Sequence, residues 1–559
     1  MSDDYKLPRQ GIGLDSGVGA ILLRVLLFAV LAVFVLGGYA ATQFHGLRST
    51  ESMEIAHVAH NIATGSGYTT RSITPFNLWY LDENGVDVAL ASIPEIDHAP
   101  AYPALLSLAF RLMRPSYEFS ADFGMFDAEY KAIVPLGILL TMLCAAALFV
   151  FGRQIFGLRV AGLATVIYLV SNLTLSSMIS GIPSPLLSLA VTLVCGFAIQ
   201  AIRLSASGQS IVRMLLAVCG CALFVAVAML ADYTMIAVAV VVLVLFAIQL
   251  QRFRWTSILL FVVLSGLLVS PWLLHNHKLG VGALGSKHYD AVANSVLYQD
   301  NALARTVEPE FNSYRVGGAI KRKLVASVTE NISGTKALAG GIIICFFVLA
   351  LFHRYENKDV TALKWAVLLM LAMLALLMPL IGPSYAVFGA LFPIVILLGA
   401  SAFNDYLDRE EYFEQGMQQL LMWALIVISA LPAVAQVIKG SDYSYPPYYA
   451  PIQQFVCNMV EEEETLYTDI PWATAWYGNR TSILLPQEIN DVEKIATGWD
   501  NVGGVYLTSE TANRPVQTEA SWCSLWLQKA PEGIPLRHSI QIPAGRSDQL
   551  FLANKVRWE

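Results

Sequence analysis

Charged side chains are scarce in this chain: Asp, Glu, Lys and Arg make up only 14% of its 559 residues, whereas 56% are hydrophobic. A soluble globular protein is about a quarter charged. The low charge, together with a mean hydropathy of +0.57, therefore predicts a membrane protein. The formal net charge of −7 gives no support for a nucleic-acid partner.

The sequence also lacks the motifs of common cofactor sites. No Gly-rich phosphate-binding fingerprint opens a helix in the polar C-terminal part, so we expect no nucleotide site there. The cysteine spacing is not of the metal-binding type, and no cofactor is predicted. A divalent metal remains open but has no motif to support it. Five of the seven cysteines lie in apolar stretches, where cysteine acts as a small hydrophobic residue.

The other two cysteines, Cys457 and Cys523, lie in the polar C-terminal part. They would form one disulfide if this part is extracytoplasmic, and they would stay reduced if it is cytosolic. The sequence leaves both alternatives open.

Long apolar stretches recur through most of the chain. A membrane-spanning helix needs about 20 such residues, so we predict a mainly α-helical, multi-pass bundle of about eleven transmembrane helices. The predicted spans are 17–42, 132–152, 158–180, 184–203, 212–231, 233–251, 255–274, 337–353, 362–381, 385–402 and 418–438.

Basic residues in short loops predict the orientation of the bundle. Arg153 with Arg159, Arg203 with Arg213, and similar residues near 252–254 and 354–364 fall on one side if the spans alternate. The positive-inside rule makes that side cytoplasmic. The N-terminus is then cytoplasmic, and segment 43–131, loop 275–336 and residues 440–559 are extracytoplasmic.

Segment 43–131 contains two helix-like stretches that we expect to lie on the outer membrane surface. The first follows the first span and stops at Gly65, and the second is the apolar stretch 104–112. The first carries Glu51, Glu54, His57 and His60. Glu51 is either a catalytic group or a partner of the helix dipole, and Glu54 is predicted to be a solvated neighbour that favours the same dipole. The two histidines form either a polar helix face or part of a metal site with Glu54.

Loop 275–336 ends in a basic amphipathic segment, 319–326. Its residues Lys321, Arg322 and Lys323 are predicted either to anchor the loop to anionic lipid or to bind the phosphate of a lipid ligand. Asp232, at the outer end of another span, is either an interfacial turn residue or an acidic group of a cavity.

Residues 440–559 have the composition of a soluble domain, so we divide the chain into a transmembrane domain, 1–439, and this C-terminal domain. Strand-like runs at 465–469, 482–485 and 504–508 alternate with helix-like stretches. Such alternation predicts a small α/β domain with a parallel sheet.

Three stretches together resemble the GT-C superfamily of integral-membrane glycosyltransferases, of the protein O-mannosyltransferase and aminoarabinose-transferase type. They are Glu51 with the frame Ala59-His-Asn-Ile62 and Gly65-Ser-Gly-Tyr68, then Asp97-His-Ala-Pro-Ala-Tyr-Pro103, and Ser270-Pro-Trp-Leu-Leu-His-Asn276. A fourth match is Ser384-Tyr385. The resemblance places Glu51 on the family's catalytic acid. It also implies substrate-binding roles for Asp97, His98, Tyr102, His275 and Tyr385.

The chain departs from the family at three positions where relatives commonly have a basic residue. They are Asp232, His275 and Ser384. Basic groups at the outer face would neutralise a phosphate leaving group. Their absence favours the alternative that this chain is a catalytically inactive structural subunit of a membrane assembly.

The resemblance implies a glycosyltransferase of a prokaryotic cytoplasmic membrane that uses a polyprenyl-phosphate sugar on the extracytoplasmic face. Its partners would be membrane lipid, the lipid-linked sugar and an acceptor that is a glycan, a lipid or a protein. A transporter is a weaker alternative, because the spans show no inverted repeat.

Overall fold

The structure is a computed structural model. It describes residues 18–86, 89–122, 124–208, 210–293, 295, 297–298, 302–311, 315–325, 342–381, 386–409, 414–440, 448–495, 498–512, 522–526, 534–544 and 547–558. Within these residues the chain forms a large helical bundle and one mixed sheet.

The bundle contains the helices that the hydropathy predicts. The long ones are α1 (Val18–Gln43), α5 (Val134–Phe156), α8 (Ser184–Ser207), α9 (Ile211–Ala231), α11 (Arg254–Lys278), α14 (Lys358–Ile381), α15 (Ala386–Arg409) and α16 (Gln415–Lys439). The shorter ones are α6 (Leu158–Val170), α7 (Asn172–Met178), α10 (Ile236–Gln249), α12 (315–325) and α13 (Ile343–Phe352).

Eight described helices are long and apolar enough to cross a membrane, and α6 with α7 makes a ninth if this pair, bent by 56°, is one span. This chain is therefore a multi-pass membrane protein. The prediction of about eleven spans exceeds this number. The stretches 233–251 and 337–353 correspond to helices whose described parts, Tyr233–Gln249 and Ile343–Phe352, are shorter.

Segment 43–131 folds into α2 (Thr50–Thr64), α3 (Pro75–Glu83) and α4 (Ala101–Met113), with short strands between them. The Ser49 hydroxyl caps α2 by accepting the Ser52 N–H at 3.1 Å. Gly65 ends the helix in a left-handed conformation, φ 91°, as the sequence predicts. Strands β1 (Thr69–Thr70) and β3 (Ile93–Pro94) then pair antiparallel.

Helix α2 does not lie open on a surface, because α4 and the C-terminal helix α18 (Pro471–Gly478) both pack against it. Eight of its fifteen residues are buried. Helix α4, in contrast, buries Tyr102, Leu106 and Phe110 and exposes Leu108 and Leu112, as expected of an amphipathic interfacial helix.

The C-terminal region forms a six-stranded mixed sheet rather than the predicted parallel one. Its strand order is β2-β7-β6-β8-β10-β9. The predicted strands β6 (Thr465–Thr468), β7 (Ser482–Leu484) and β8 (Val502–Leu507) form its parallel centre. The hairpin of β9 (His538–Ala544) and β10 (Ser547–Ala553) extends one edge antiparallel.

The other edge of the sheet comes from segment 43–131. Strand β2 (Ser72–Ile73) pairs parallel with β7, and Ile73 lies opposite Ile483. A two-residue strand carries no periodicity of its own, so the sequence did not predict it. Buried residues of segment 73–96, such as Leu81 and Ile93, share one hydrophobic cluster with the sheet. The pairing thus holds the polar segment against the C-terminal sheet.

Helices of the C-terminal region are short. They are α17 (Ala450–Asn458), α18 (Pro471–Gly478), α19 (Ser509–Ala512) and α20 (Cys523–Trp526). In segment 43–131, the short strands β4 (Phe119–Ser120) and β5 (Met125–Phe126) pair antiparallel. Cys457 and Cys523 are both buried and are not joined by a disulfide.

Candidate functional site

A cavity of about 520 Å³ opens where α2, the stretch before α4, the end of α9 and loop 286–293 meet. It brings together residues that are more than 230 positions apart, from Thr50 to Ala293, and it includes Lys323 of α12. Most of the candidate residues that the sequence singled out line this one space.

Glu51 and Glu54 both line the cavity from α2. They are three positions apart, so both side chains leave the helix on the same face. Burial raises the pKa of Glu51 above its ordinary value, although His98 and Lys287 oppose this effect. Burial likewise raises the pKa of Glu54 to about 7. Glu54 is therefore not the solvated neighbour that its place in the sequence suggested.

His98 lies between two carboxylates. Its Nδ1 is 3.1 Å from Glu95 Oε1, and its Nε2 is 3.7 Å from Glu54 Oε2. Burial alone would lower the pKa of His98, but the charges and hydrogen bond of these carboxylates outweigh it and raise the pKa to about 9. The imidazole is therefore a cation at neutral pH.

Asp97 connects segment 43–131 with loop 275–336, and both of these contribute to the cavity wall. Its Oδ2 accepts a hydrogen bond from the Asn77 amide at 2.6 Å, and its Oδ1 accepts one from the Ser286 hydroxyl. The Ser286 N–H also donates to the Ile96 carbonyl at 3.1 Å. The two bonds of Ser286 attach residues 285–290 to segment 43–131.

Gly285 makes this attachment sterically feasible. A Cβ at this position would lie 2.0 Å from the Ile96 carbonyl oxygen, and the residue has φ +61°. Glycine alone combines the left-handed backbone with such a close approach. The loop can therefore reach the first segment and bring Lys287 into the cavity.

Lys287 is the cation that sequence analysis missed. Its Nζ lies 3.4 Å from the Asp290 carboxylate. The charge of Asp290, and then those of Asp97, Glu51 and Asp232, raises the pKa of Lys287 above its ordinary value despite burial. The Lys287 ammonium is therefore permanently charged in the physiological range.

Carboxylates outnumber cations on the cavity wall. Among the described lining residues the carboxylates are Glu51, Glu54, Asp97, Asp232 and Asp290, and the basic groups are His98, Lys287 and Lys323. Asp232 is thus a cavity group rather than an interfacial turn residue alone. A bound anion would be stabilised only where these basic groups converge.

The remaining candidates lie in different places. Tyr102 is buried and lines the cavity. Lys323 lines it too, and its ammonium donates to the carbonyls of Asp290 and Ala293. Lys321 and Arg322 are exposed and do not line it. Tyr385 lies outside the described residues.

His275 also lies away from the cavity wall. It is exposed, and its ring stacks on Trp272 at a centroid distance of 5.0 Å. Trp272 in turn donates its indole N–H to the Tyr233 hydroxyl at 2.7 Å. Tyr233 lines the cavity, so His275 is two contacts away from it.

The metal interpretation of the α2 histidines has no support within the described residues, where no cluster of three suitable ligands occurs. His57 is buried, and its Nε2 accepts the Arg71 backbone N–H at 3.1 Å. Burial lowers the pKa of His57 to about 3, so it stays neutral. It is a structural contact between α2 and the residue that separates β1 from β2.

Sequence reasoning missed Glu95, Ser286 and Lys287 for different reasons. Glu95 stands two residues before the Asp97-His98 pair, and this acidic cluster was a usable signal. Ser286 and Lys287 lie in a loop without periodicity. The close approach at Gly285 and the hydrogen bonds of Ser286 to Asp97 and Ile96 show that this loop belongs to the site.

The fold is similar to those of solved membrane proteins. No protein-family model and no curated protein sequence matches the chain. The crystal structure of ArnT from Cupriavidus metallidurans bound to undecaprenyl phosphate has a TM-score of 0.57 and 11% identity. That match covers 95% of this chain and 98% of the other.

Two structures of an archaeal enzyme are also similar. The oligosaccharyltransferase AglB from Archaeoglobus fulgidus, in complex with an inhibitory peptide and a dolichol-phosphate, has a TM-score of 0.57 at 10% identity, over 95% of this chain and 74% of the other. The crystal structure of the A. fulgidus oligosaccharyltransferase in complex with Zn and sulfate has a TM-score of 0.56 at 11% identity, over 86% of this chain and 67% of the other.

Identities this low carry information about the fold rather than about the activity. The similarity nevertheless extends over nearly the whole chain, through both the helical bundle and the C-terminal sheet. The resemblance suggested by the sequence is thus confirmed at the level of the fold: this chain has the fold of the GT-C integral-membrane glycosyltransferases.

Proposed function

We propose that this protein transfers a sugar from a polyprenyl-phosphate donor to an acceptor at the cavity next to Glu51. The observation that carries the proposal is the meeting of a partly buried carboxylate on α2, Glu51, with three basic groups in one cavity. The fold is shared with ArnT, whose crystal structure has undecaprenyl phosphate bound. This supports a lipid-phosphate ligand for this cavity.

Glu51 is the proposed catalytic carboxylate. It accepts the proton of the acceptor's hydroxyl or amino group while that atom bonds to the anomeric carbon. The bond between the anomeric carbon and the phosphate oxygen breaks, and the lipid phosphate leaves with the electron pair. Because the displacement is direct, the anomeric configuration inverts.

His98, Lys287 and Lys323 are the proposed partners of the leaving phosphate. Charge develops on the phosphate oxygens as the bond breaks, and fixed cations stabilise that charge most strongly in a site shielded from water. They stand in for the basic residues that the chain lacks at Asp232 and His275. Tyr102 and Asp97 shape the wall beside them. No metal is assigned a role.

The membrane side and the domain division belong to the same proposal. The positive-inside rule puts the cavity on the extracytoplasmic face of a prokaryotic cytoplasmic membrane, together with a C-terminal domain that starts near residue 440. The pairing of β2 with β7 supports a C-terminal domain that covers α2 and helps to shape the cavity.

The proposal is tested with the purified full-length protein in lipid nanodiscs that contain a polyprenyl-phosphate sugar. Membrane extract supplies the acceptor, and the release of polyprenyl phosphate is measured by mass spectrometry. Release by the wild type and its loss in Glu51→Gln are expected. A wild type that releases no lipid phosphate, and binds none, would overturn the proposal.

The second candidate function is a catalytically inactive structural subunit of a membrane assembly. The excess of carboxylates on the cavity wall favours it, because each one opposes the binding of a phosphate anion. In that case Glu51→Gln would leave cellular glycan profiles unchanged, and the protein would co-purify with membrane partners.

A further inference from the structure

Glu95 lies behind the cavity wall and acts on the cavity only through His98. Its side chain is 4% exposed and does not line the cavity, whereas His98 does. The single oxygen Oε1 accepts the backbone N–H of Asp97 at 2.7 Å and that of His98 at 3.0 Å. The same oxygen faces His98 Nδ1 at 3.1 Å.

This arrangement determines which ring nitrogen of His98 points toward the cavity. The Glu95 carboxylate is an acceptor only, so Nδ1 must carry the proton that it donates to Glu95. The opposite ring nitrogen, Nε2, then faces Glu54 and the cavity. At 3.7 Å the Glu54 carboxylate attracts this Nε2 but is too far away for a hydrogen bond. The Nε2–H therefore remains available to a ligand.

We propose that Glu95 is a positioning residue that keeps His98 protonated and directs its Nε2–H at the phosphate of the lipid carrier, in competition with Glu54. This inference rests on the proposed function, since it specifies how that site binds the lipid phosphate. A buried carboxylate that orients a histidine and stabilises its charged form is a known catalytic arrangement. Here the histidine acts as a fixed cation and transfers no proton.

The pKa of His98 depends on charged groups from three parts of the chain. Glu51 and Glu54 face it from α2, Glu95 and Asp97 from its own stretch, and Lys287 from the opposite loop. Burial lowers the pKa of His98, Glu95 and then Glu54 raise it, and Lys287 lowers it, which leaves it at about 9. Phosphate binding by His98 should therefore weaken as the pH rises through this value.

The test measures binding of undecaprenyl phosphate to the purified full-length protein in nanodiscs between pH 6 and pH 10. For the wild type, affinity should fall as the pH rises through about 9. In Glu95→Gln the fall should occur at least one pH unit lower, and the affinity at pH 8 should drop by at least about twofold, since half of the imidazoles are neutral where the pH equals the pKa.

Two further variants separate the effect on His98 from a structural effect. Glu54→Gln should bind the lipid phosphate more tightly than the wild type at pH 8, because a competing carboxylate that is ionised above about pH 7 is removed while most His98 side chains stay charged. Glu95→Asp retains the negative charge, so it should bind the lipid phosphate above pH 8 nearly as tightly as the wild type. If Glu95→Gln lost affinity only because it misfolded, its loss would not depend on pH. Glu83→Gln, on the exposed end of α3, is the matched control and should behave as the wild type.

The outcomes distinguish this inference from the proposed function. If the wild type binds the lipid phosphate but Glu95→Gln has the same pH midpoint, the inference is overturned and the proposed function stands. If Glu54→Gln weakens binding at pH 8, the proposed competition between Glu54 and the phosphate for His98 is overturned. If the wild type binds none even at pH 6, where every cation of the site is charged, the proposed function fails together with the inference.

Discussion

Trp476 donates its indole N–H to the Glu129 carboxylate at 2.8 Å, across 347 positions of sequence. Glu129 is fully buried and stands in the π-helical turn that leads into the span α5, whereas Trp476 belongs to α18 of the C-terminal region. The bond therefore joins the sheet region to the helical bundle close to the side of α2 that α18 covers.

Trp476→Phe should weaken this junction. Phenylalanine retains the ring that packs against Phe126 at a centroid distance of 5.3 Å but removes the donor. The loss of one hydrogen bond to a buried, charged acceptor costs about 1–3 kcal/mol, and Tyr477 and the Leu47 N–H still donate to Glu129. The thermal unfolding of the detergent-solubilised protein should shift down accordingly. Trp499→Phe, at a tryptophan that is only partly buried, is the control, and an equal shift in both variants would contradict the assignment.

Glu51→Gln should abolish sugar transfer and leave the binding of lipid phosphate intact. The amide cannot accept the acceptor's proton, but it fills the same space on the first turn of α2. A general-base contribution is about 10²–10⁴-fold in rate. Turnover is measured by the release of lipid phosphate and binding by equilibrium titration. Retained turnover would rule out Glu51 as the base.

Lys287→Met should move the acid limb of the pH–rate profile to higher pH. The Lys287 charge lowers the pKa values of Glu51 and Asp97, so its removal raises them. A base with a raised pKa becomes ionised, and hence active, only at higher pH. The check is the dependence of kcat/KM on pH. Lys321→Met, at an exposed position away from the cavity wall, is the matched control and should leave the limb in place.

Gly285→Ala should displace the loop that carries Lys287. The left-handed conformation costs a non-glycine residue about 1–2 kcal/mol, and the new Cβ would also overlap the Ile96 carbonyl oxygen. We expect lowered stability and lost lipid-phosphate binding. Gly67→Ala shares the positive φ, at +83°, but meets no atom within 4 Å. Gly67→Ala should lose stability but keep its lipid-phosphate binding. Equal losses of binding in the two variants would argue against a role for the close contact between Gly285 and Ile96.

Much of the site was predictable from local sequence. Glu51 and Glu54 follow a cap and precede a glycine stop, and three positions on a helix place them on one face. His98 and Tyr102 are near a helix start marked by two prolines. The burial that raises the pKa of Glu54 was not predictable, because it depends on tertiary contacts, such as the approach of His98 from another segment to 3.7 Å.

The basic residues were predicted less well. The run Lys321-Arg-Lys323 drew attention because three charges are adjacent, yet only Lys323 lines the cavity. A run of adjacent residues on a helix points in several directions, so its members cannot all reach one site. Lys287 stands in an unremarkable loop and became a candidate only through the tertiary contacts of that loop, which are the close approach of Gly285 to Ile96 and the hydrogen bond from Ser286 to Asp97.

By itself, the sequence determined the membrane class, the helical bundle, the parallel centre of the C-terminal sheet and the carboxylates of α2. These follow from hydropathy, periodicity and capping, which are local properties of the chain. Only the tertiary structure decided which charges share a cavity. Contacts such as β2 with β7, Gly285 with Ile96 and Lys287 with Asp97 join distant segments, and their energies depend on burial and distance that no local pattern encodes.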